Sequence, residues 1–381
     1  MEFSWTDEHM SLRRSVIEFA KAELNDRVRE RDRESAFSWE AWRKCAQFGV
    51  HGLPVPSEYG GLGRDLLTTA LVFEALGYAC HDRGLLFSIG AHLFSCAMPL
   101  AAFGTEVQKR KYLPRLCDGG AVGVHAVTEP EAGSDAFSLR TTAVRRGDCY
   151  LLNGRKTFVT NGSIADLVLL FATTKPGAGP FGITAFLLEK GTPGFSVGAT
   201  IEKMGLRTAP MAEIVLDDCE VPAENRLGRE GQGRLIFNHS MDLERSCLLA
   251  ADIGVMQRQL EQCVAYSKQR RQFGRPIGQF QSVSNRLAEM RVRLEAARLL
   301  LYKAAWLKSR GLPATTEAAM AKLFISEASV QSSLDAIRIH GGNGYATDFE
   351  FERELRDAIG GTIYSGTNDI QRLIIARSLG V

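Results

Sequence analysis

Several stretches of the chain carry side chains that could bind or transform a ligand. Thr128-Glu129-Pro130-Glu131-Ala132-Gly133-Ser134-Asp135 is a turn rich in hydroxyls and backbone donors, and Gly133 permits close approach of a ligand to the backbone. In Asp242-Leu243-Glu244-Arg245 a carboxylate stands beside a guanidinium; a Glu in such a place on a helix ordinarily reads as a solvated charge. Three further segments combine glycine with polar groups: Arg270-Arg271-Gln272-Phe273-Gly274, Gly341-Gly342-Asn343-Gly344 and Tyr364-Ser365-Gly366-Thr367. Metal chemistry is not indicated. Cys45, Cys80, Cys96, Cys117, Cys149, Cys219, Cys247 and Cys263 form no CxxC pair and no Cys/His cluster of zinc spacing. They read as free, mostly buried thiols in a reducing cytosol.

The elements that must position these segments follow from periodicity. Residues 1 to about 119 read as helical: Leu12, Val16, Ala20 and Leu24 fall at four-residue steps, and the style continues through Leu67, Ala70 and Leu71. The cluster Pro54, Pro56, Gly60, Gly61, Gly63 marks a loop between helices. Near residue 120 the texture changes. CYLLNGRKTFVT, from Cys149 to Thr160, predicts a hairpin turning at Asn153-Gly154. Buried strands are predicted over 166–174, 183–188 and 211–216, the last followed by an acidic turn. Helical patterning returns after Gly233. Leu287, Met290, Leu294, Ala297, Leu301 and Ala304 make a bundle seam, and a helix over 314–340 stops at Gly341-Gly342.

Whole-chain properties bound the function. A length of 381 residues suggests two or three domains at roughly 150 residues each. With 45% hydrophobic and 24% charged residues the composition supports a large core. A formal net charge of +2 gives no reason to expect nucleic acid, while leaving room for an acidic partner or phosphorylated ligand. The opening MEFSWTDEHMSLRR has acids and no apolar core, so it does not read as a signal peptide. No run looks close to the ~20 apolar residues of a membrane helix. The expectation is a cytoplasmic protein without a membrane anchor.

Taken in order and spacing, the motifs resemble the acyl-CoA dehydrogenase family over essentially the whole chain. They are 128–135, Lys156-Thr157-Phe158-Val159-Thr160-Asn161-Gly162, 270–274 with Pro276, Ile277 and Gln281, 341–344, and Ile363 through Arg372. The resemblance implies a mainly α fold with a central β domain: an N-terminal helical domain (1–119), a β-barrel-like middle domain (120–227) and a C-terminal four-helix bundle (228–381). It also implies noncovalent FAD and a homodimer or homotetramer. By position, Val127, Thr128 and Ser134 would contact the flavin ring and the thioester side, with Phe158 and Thr160 on the other flank. Arg270 and Phe273 match positions that reach the FAD of a neighbouring subunit, and a guanidinium suits its pyrophosphate. Gly341, Gly342, Thr367 and Asp369 would line the adenosine and pyrophosphate part. Two residues depart from the family pattern there: His125, where an aromatic residue is frequent, and Arg338, where Gln is common.

The reaction so implied removes an α-proton from a thioester while a β-hydride leaves to flavin, which needs a placed carboxylate and donors for the enolate-like oxygen. The family's usual base is a Glu in Tyr-Glu-Gly-Thr; here that run has Ser365, which cannot take the proton unaided. In the isovaleryl-CoA dehydrogenase branch the base is the Glu of a Leu-Glu-Arg opening a helix after the β domain. Leu243-Glu244-Arg245 matches it, so the resemblance makes Glu244 the base, with Arg245 keeping it ionised and the Ser365 N–H serving the thioester oxygen. The same swap resembles dehydrogenases of L-proline held on a peptidyl carrier protein. Ala91-His92 through Cys96-Ala97-Met98-Pro99, 230–234 and 256–261 are worded like that group. The implied substrate is an acyl or aminoacyl thioester on phosphopantetheine, carrier-bound prolyl ahead of a CoA ester. The implied acceptor is an electron-transfer flavoprotein or oxygen. Oxygen-dependent flavin chemistry on the same fold stands as the other class of function.

Overall fold

The structure, a computed structural model, describes residues 4–381. Seven helices come first: α1 (Asp7–Glu23), α2 (Val28–Glu34), α3 (Trp39–Gln47), α4 (Leu66–Ala79), α5 (Arg83–His92), α6 (Met98–Phe103) and α7 (Glu106–Cys117). Strands β1 (Gly123–Ala126), β2 (Thr142–Arg146), β3 (Cys149–Thr160), β4 (Leu167–Thr173), β5 (Ile183–Glu189), β6 (Phe195–Thr200), β7 (Met211–Pro222) and β8 (Arg226–Leu227) form one sheet. Its order is β6-β7-β3-β2-β4-β5-β8, with β1 parallel to β4. The last part is helical: α8 (Gly233–Leu243), α9 (Ala250–Gln269), α10 (Gln281–Ser309), α11 (Thr315–His340), α12 (Gly342–Tyr345), α13 (Phe351–Gly360) and α14 (Asn368–Ser378). A small hairpin, β9 (Arg271–Gln272) and β10 (Arg275–Pro276), interrupts it.

The apolar stripes do what their spacing implies. Val16 and Ala20 bury α1, and Met290, Leu294, Ala297, Leu301 and Ala304 bury one side of α10. Helix α4 is buried on nearly all sides, because α1, α9 and α10 pack around it. Its approach to α9 is backbone on backbone. A Cβ on Gly77 would lie 1.9 Å from the Ala251 carbonyl oxygen, and one on Gly254 2.1 Å from that of Glu74. This crossing locks the start of α9 to the N-terminal helices.

Four expectations fail. Cys149–Thr160 is one continuous strand, not a hairpin. Asn153-Gly154 sits at a register shift, where Gly154 is needed because a Cβ would meet Thr141 Oγ1 at 2.5 Å. The tight turn is instead at Gly147-Asp148, where Arg146 pairs with Cys149. Strand β7 runs through Asp217 and Asp218, where an acidic turn is expected. Glu244 does not open the long helix; it follows α8 and begins a single π-helical turn, Glu244–Leu248, ahead of α9. Finally, Arg83–Phe103 is a continuous 21-residue helical run of mean hydropathy 1.7, long and apolar enough by composition to cross a membrane. Its apolar stretch is 78% buried inside the protein, so the composition serves the core.

The three parts meet at a polar junction. Asp357 of α13 accepts from the Leu206 N–H in the β6–β7 loop, Arg356 reaches Asp32 of α2 at 2.7 Å, and Asp82 accepts from Arg31 and Thr208. Burial pushes the Asp357 carboxyl up to about 7, against the pull of the Leu206 N–H and Arg353. An unfolded Asp titrates near ~3.9, so the unfolded chain loses this proton first. Stability from Asp357 is therefore full at acid pH and falls as pH rises from about 4 through about 7, by on the order of 4 kcal/mol at the upper limit. Urea denaturation at pH 5 and pH 8 should show this loss in the parent and a smaller one in Asp357→Asn. An equal loss in both proteins would remove Asp357 as its source.

Candidate active site

Glu244 lies where three chain segments converge. Two single π-helical turns face each other, Leu93–Ala97 between α5 and α6 and Glu244–Leu248 between α8 and α9. Such turns insert one residue into a helix and re-aim the side chains beside it. The Ser95 hydroxyl on the first turn donates to Glu244 Oε1, and the Ser365 hydroxyl donates to Oε2. Glu244 is only 8% exposed, and among the described residues no cation forms an ion pair with it. Burial raises its pKa above the ordinary glutamate value; the hydrogen bonds from Ser365 and Ser95 and the charge of Arg245 pull it back only in part.

The loop 364–367 is held by its carbonyls. Arg245 Nε donates to the Ser365 oxygen at 3.0 Å, and Gln371 Nε2 to the Gly366 oxygen at 2.8 Å. Arg245 thus anchors the loop as well as lending charge. Ser365 and Gly366 both have positive φ, 55° and 85°, and a Cβ on Gly366 would press on Gln371 and Arg245. Among the described residues the Ser365 N–H has no acceptor. Tyr364 packs on Phe87 with ring centroids 4.6 Å apart, and Thr367 caps α14 by accepting from the Ile370 N–H. Beneath the loop, buried Lys322 donates to Asn368 at 2.8 Å, and burial lowers its pKa to about 7.

A second wall comes from the sheet. Lys156 of β3 is fully buried and pairs with Glu129 at 2.6 Å, while also donating to the Val127 oxygen at 3.1 Å. Glu129 takes further hydrogen bonds from the Arg140 and Thr141 N–H groups and the Thr141 hydroxyl. Burial pushes Glu129 up, but Lys156 and these donors outweigh it and hold it below the usual range. The pair and a bond from the Thr157 N–H to the Thr128 oxygen fasten 127–129 alongside β3. Phe158 is thereby displayed, 61% exposed with φ 54°, at a bulge next to Thr160. Ser134 stands exposed on the same turn. His125 of β1 touches Ser240 at 3.3 Å and packs edge-on to Phe171; burial holds its imidazole down to about 3, so it is neutral.

The remaining sequence candidates lie elsewhere. Arg270 is exposed at the end of α9, a 20-residue helix that spans about 30 Å from the Glu244 turn. Phe273 is 92% exposed at the tip of the β9–β10 hairpin, with Gly274 beside it also at positive φ. Gly341, which caps α11, and Gly342, which begins α12, lie next to that point, since Tyr266 stacks on His340 at 4.3 Å. Arg338 is exposed and leans on Asp335 at 3.4 Å; Asp369 is exposed and pairs with Arg372. Thr367 is far from Gly341 in one chain: its neighbour Asn368 is bound at Lys322, some 19 residues or about 28 Å back along α11.

This geometry has close counterparts. Acyl-CoA dehydrogenase N-terminal, middle and C-terminal domain models match residues 6–120, 125–219 and 231–380. The chain belongs to the acyl-CoA dehydrogenase family. It is 47% identical over 344 residues, 90% of either chain, to the L-prolyl-(peptidyl-carrier protein) dehydrogenase of Pseudomonas fluorescens. The crystal structure of the prolyl acyl carrier protein oxidase AnaB superimposes with a TM-score of 0.98 at 53% identity, covering 99% of this chain and 100% of that one. PigA with FAD and proline also gives 0.98, at 44% identity over 100% and 99% of the two chains.

Within this acyl-CoA dehydrogenase fold, four residues matter that sequence reasoning did not single out: Ser95, the paired Glu129 and Lys156, and Lys322. Ser95 carries no signal in sequence, being one serine in an apolar helix. The ion pair left a trace, because a lysine at a position of β3 that alternation makes inward-facing needs a partner. Lys156→Met should cost about 3–5 kcal/mol in urea denaturation by stranding Glu129, and adding Glu129→Gln should recover much of it. Near-parental stability of the single variant would show that the pair does not hold this wall.

Proposed function

We propose that the chain is an FAD-dependent dehydrogenase that desaturates an L-prolyl group held as a thioester on the phosphopantetheine arm of a peptidyl carrier protein, with Glu244 as the α-proton base. The observation that carries this is the Glu244 carboxylate itself: buried, without an ion-pair partner among the described residues, held on both oxygens by hydroxyls, and raised in pKa. A carboxylate stripped of water and without an ion-pair partner is a stronger base than one in solvent. The names of the relatives supply the prolyl and carrier-protein part of the reading.

The residues suit the cofactor. Phe158 and Val127 offer apolar surface for a flavin ring, Thr128, Ser134, Thr160 and Thr367 offer hydroxyls, and Arg270 offers an exposed guanidinium for a pyrophosphate. Bound FAD supplies the acceptor for the hydride. Glu244 takes the α-proton, and the Ser365 N–H, free among the described residues, donates to the thioester oxygen on this reading as negative charge builds there. Arg270, Phe273, Gly341 and Gly342 sit about 30 Å from Glu244, so they serve the site of a second copy, in a homodimer or homotetramer. Arg338 would serve the cofactor from the Gly341 end, and Asp369 from the Thr367 end. Electrons pass on to an electron-transfer flavoprotein or to oxygen. The eight unpaired cysteines suit the reducing cytoplasm.

Glu244→Gln should keep its flavin and bind thioester but lose anaerobic flavin reduction by at least ~10²–10⁴. Near-normal reduction would sink the assignment. Because burial raises the base, the rate should fall on the acid side at a pH above the ordinary glutamate range, as the carboxyl takes a proton. A profile flat down to pH 4 would contradict this. In a substrate panel, prolyl-carrier protein should outpace isovaleryl-CoA and butyryl-CoA; faster reduction by a CoA ester with the carrier substrate inert would make the enzyme a branched-chain acyl-CoA dehydrogenase. Arg270→Ala should lose FAD and assembly together, and an FAD-replete monomer would argue against the shared site.

A further inference from the structure

We infer that Ser95 is a positioning residue for the base: it holds the Glu244 oxygen that does not receive the substrate proton and so fixes the plane of the carboxylate. This rests on the reading of Glu244 as the base. Ser95 lies in the buried Leu93–Ala97 turn, and the proton transfer itself does not pass through it.

The two hydroxyls on Glu244 are not equivalent. Ser95 is 1% exposed, within a π-helical turn whose residues are all buried, so Oε1 faces the protein interior. Ser365 lies in a half-buried loop beside its own unpartnered N–H, so Oε2 faces the side a ligand can reach. In the reaction the Cα–H bond breaks, its proton joins Oε2, and its electron pair stays on the substrate. Oε2 is then a hydroxyl, and Ser365 must turn from donor to acceptor. Oε1 remains an acceptor in a neutral carboxyl, so the bond from Ser95 persists through the transfer. That bond has a mechanical role, because the terminal torsion of a glutamate is broad and roughly two-fold. Without Ser95 the carboxylate is free to swing about it. The hydrogen bond also favours the ionised form of Glu244.

The test uses the FAD-replete enzyme, with single-turnover anaerobic flavin reduction by prolyl-carrier protein followed against pH. Ser95→Ala should move the acid limb up by about one pH unit and lower the plateau roughly tenfold. Ser95→Thr, which keeps the hydroxyl, should restore the limb. If Ser95→Ala fails to fold, Ser95→Cys keeps the volume with a weak donor and should shift the limb the same way. Infrared titration of the flavin-free protein, differenced against Glu244→Gln, reads the carboxyl directly and should show the same upward shift. A folded Ser95→Ala or Ser95→Cys with parental limb and plateau, beside an inert Glu244→Gln, would overturn the role of Ser95; so would a folded Ser95→Thr that restores nothing. An active Glu244→Gln would instead overturn the base.

Discussion

Burying a carboxylate without a cation costs several kcal/mol unless hydrogen bonds replace its water, and the arrangement of the chain answers that constraint at Glu244. One hydroxyl comes from the N-terminal helices and one from the loop before the last helix, with the carboxylate itself on the junction of α8 and α9. None of these segments is near another in sequence. The backbone contact of α4 with α9 at Gly77 and Gly254 brings the N-terminal helices and the α8–α9 junction into register, and Arg245 and Gln371 hold the loop by its carbonyls. Holding that loop by carbonyls leaves the Ser365 N–H free for a ligand.

The helices that position Glu244 also carry, at their far ends, the residues proposed to hold the rest of the cofactor. Helix α9 starts at the Glu244 turn and ends at Arg270, and α11 runs beside it to Gly341. Rigid helices of that length place the guanidinium and the glycine turn too far to serve the base of their own chain. An exposed Phe273 on a hairpin with two positive-φ residues fits a surface completed by another copy.

Much of this was legible in the sequence, for identifiable reasons. Stripes at helical spacing predicted α1 and α10 because they face one core on one side. The fully buried strands β4 and β5 announced themselves as apolar runs. Asn153-Gly154 misled because the pair favours a turn locally, whereas a close approach to Thr141 demands the same glycine inside a strand. Strands β1, β2 and β6 were missed: they are short, and β2 and β6 are largely exposed, so neither periodicity nor apolar content marks them. Glu244 was found through the absence of a carboxylate at Ser365, but its surroundings were not. A π-helical turn leaves no pattern in residue types, and the partner of a buried polar group is a long-range contact that spacing does not encode.

The central claim is that Glu244 moves the α-proton, and isotope exchange reads that step without the hydride step. With the flavin held reduced, so that no hydride can leave, a bound prolyl thioester in deuterated water should take up deuterium at its α-carbon. The parent enzyme should exchange, and so should Ser365→Ala, which keeps the carboxylate. Glu244→Gln should show only the background exchange of the free thioester. Exchange at the parental rate in Glu244→Gln would contradict the account.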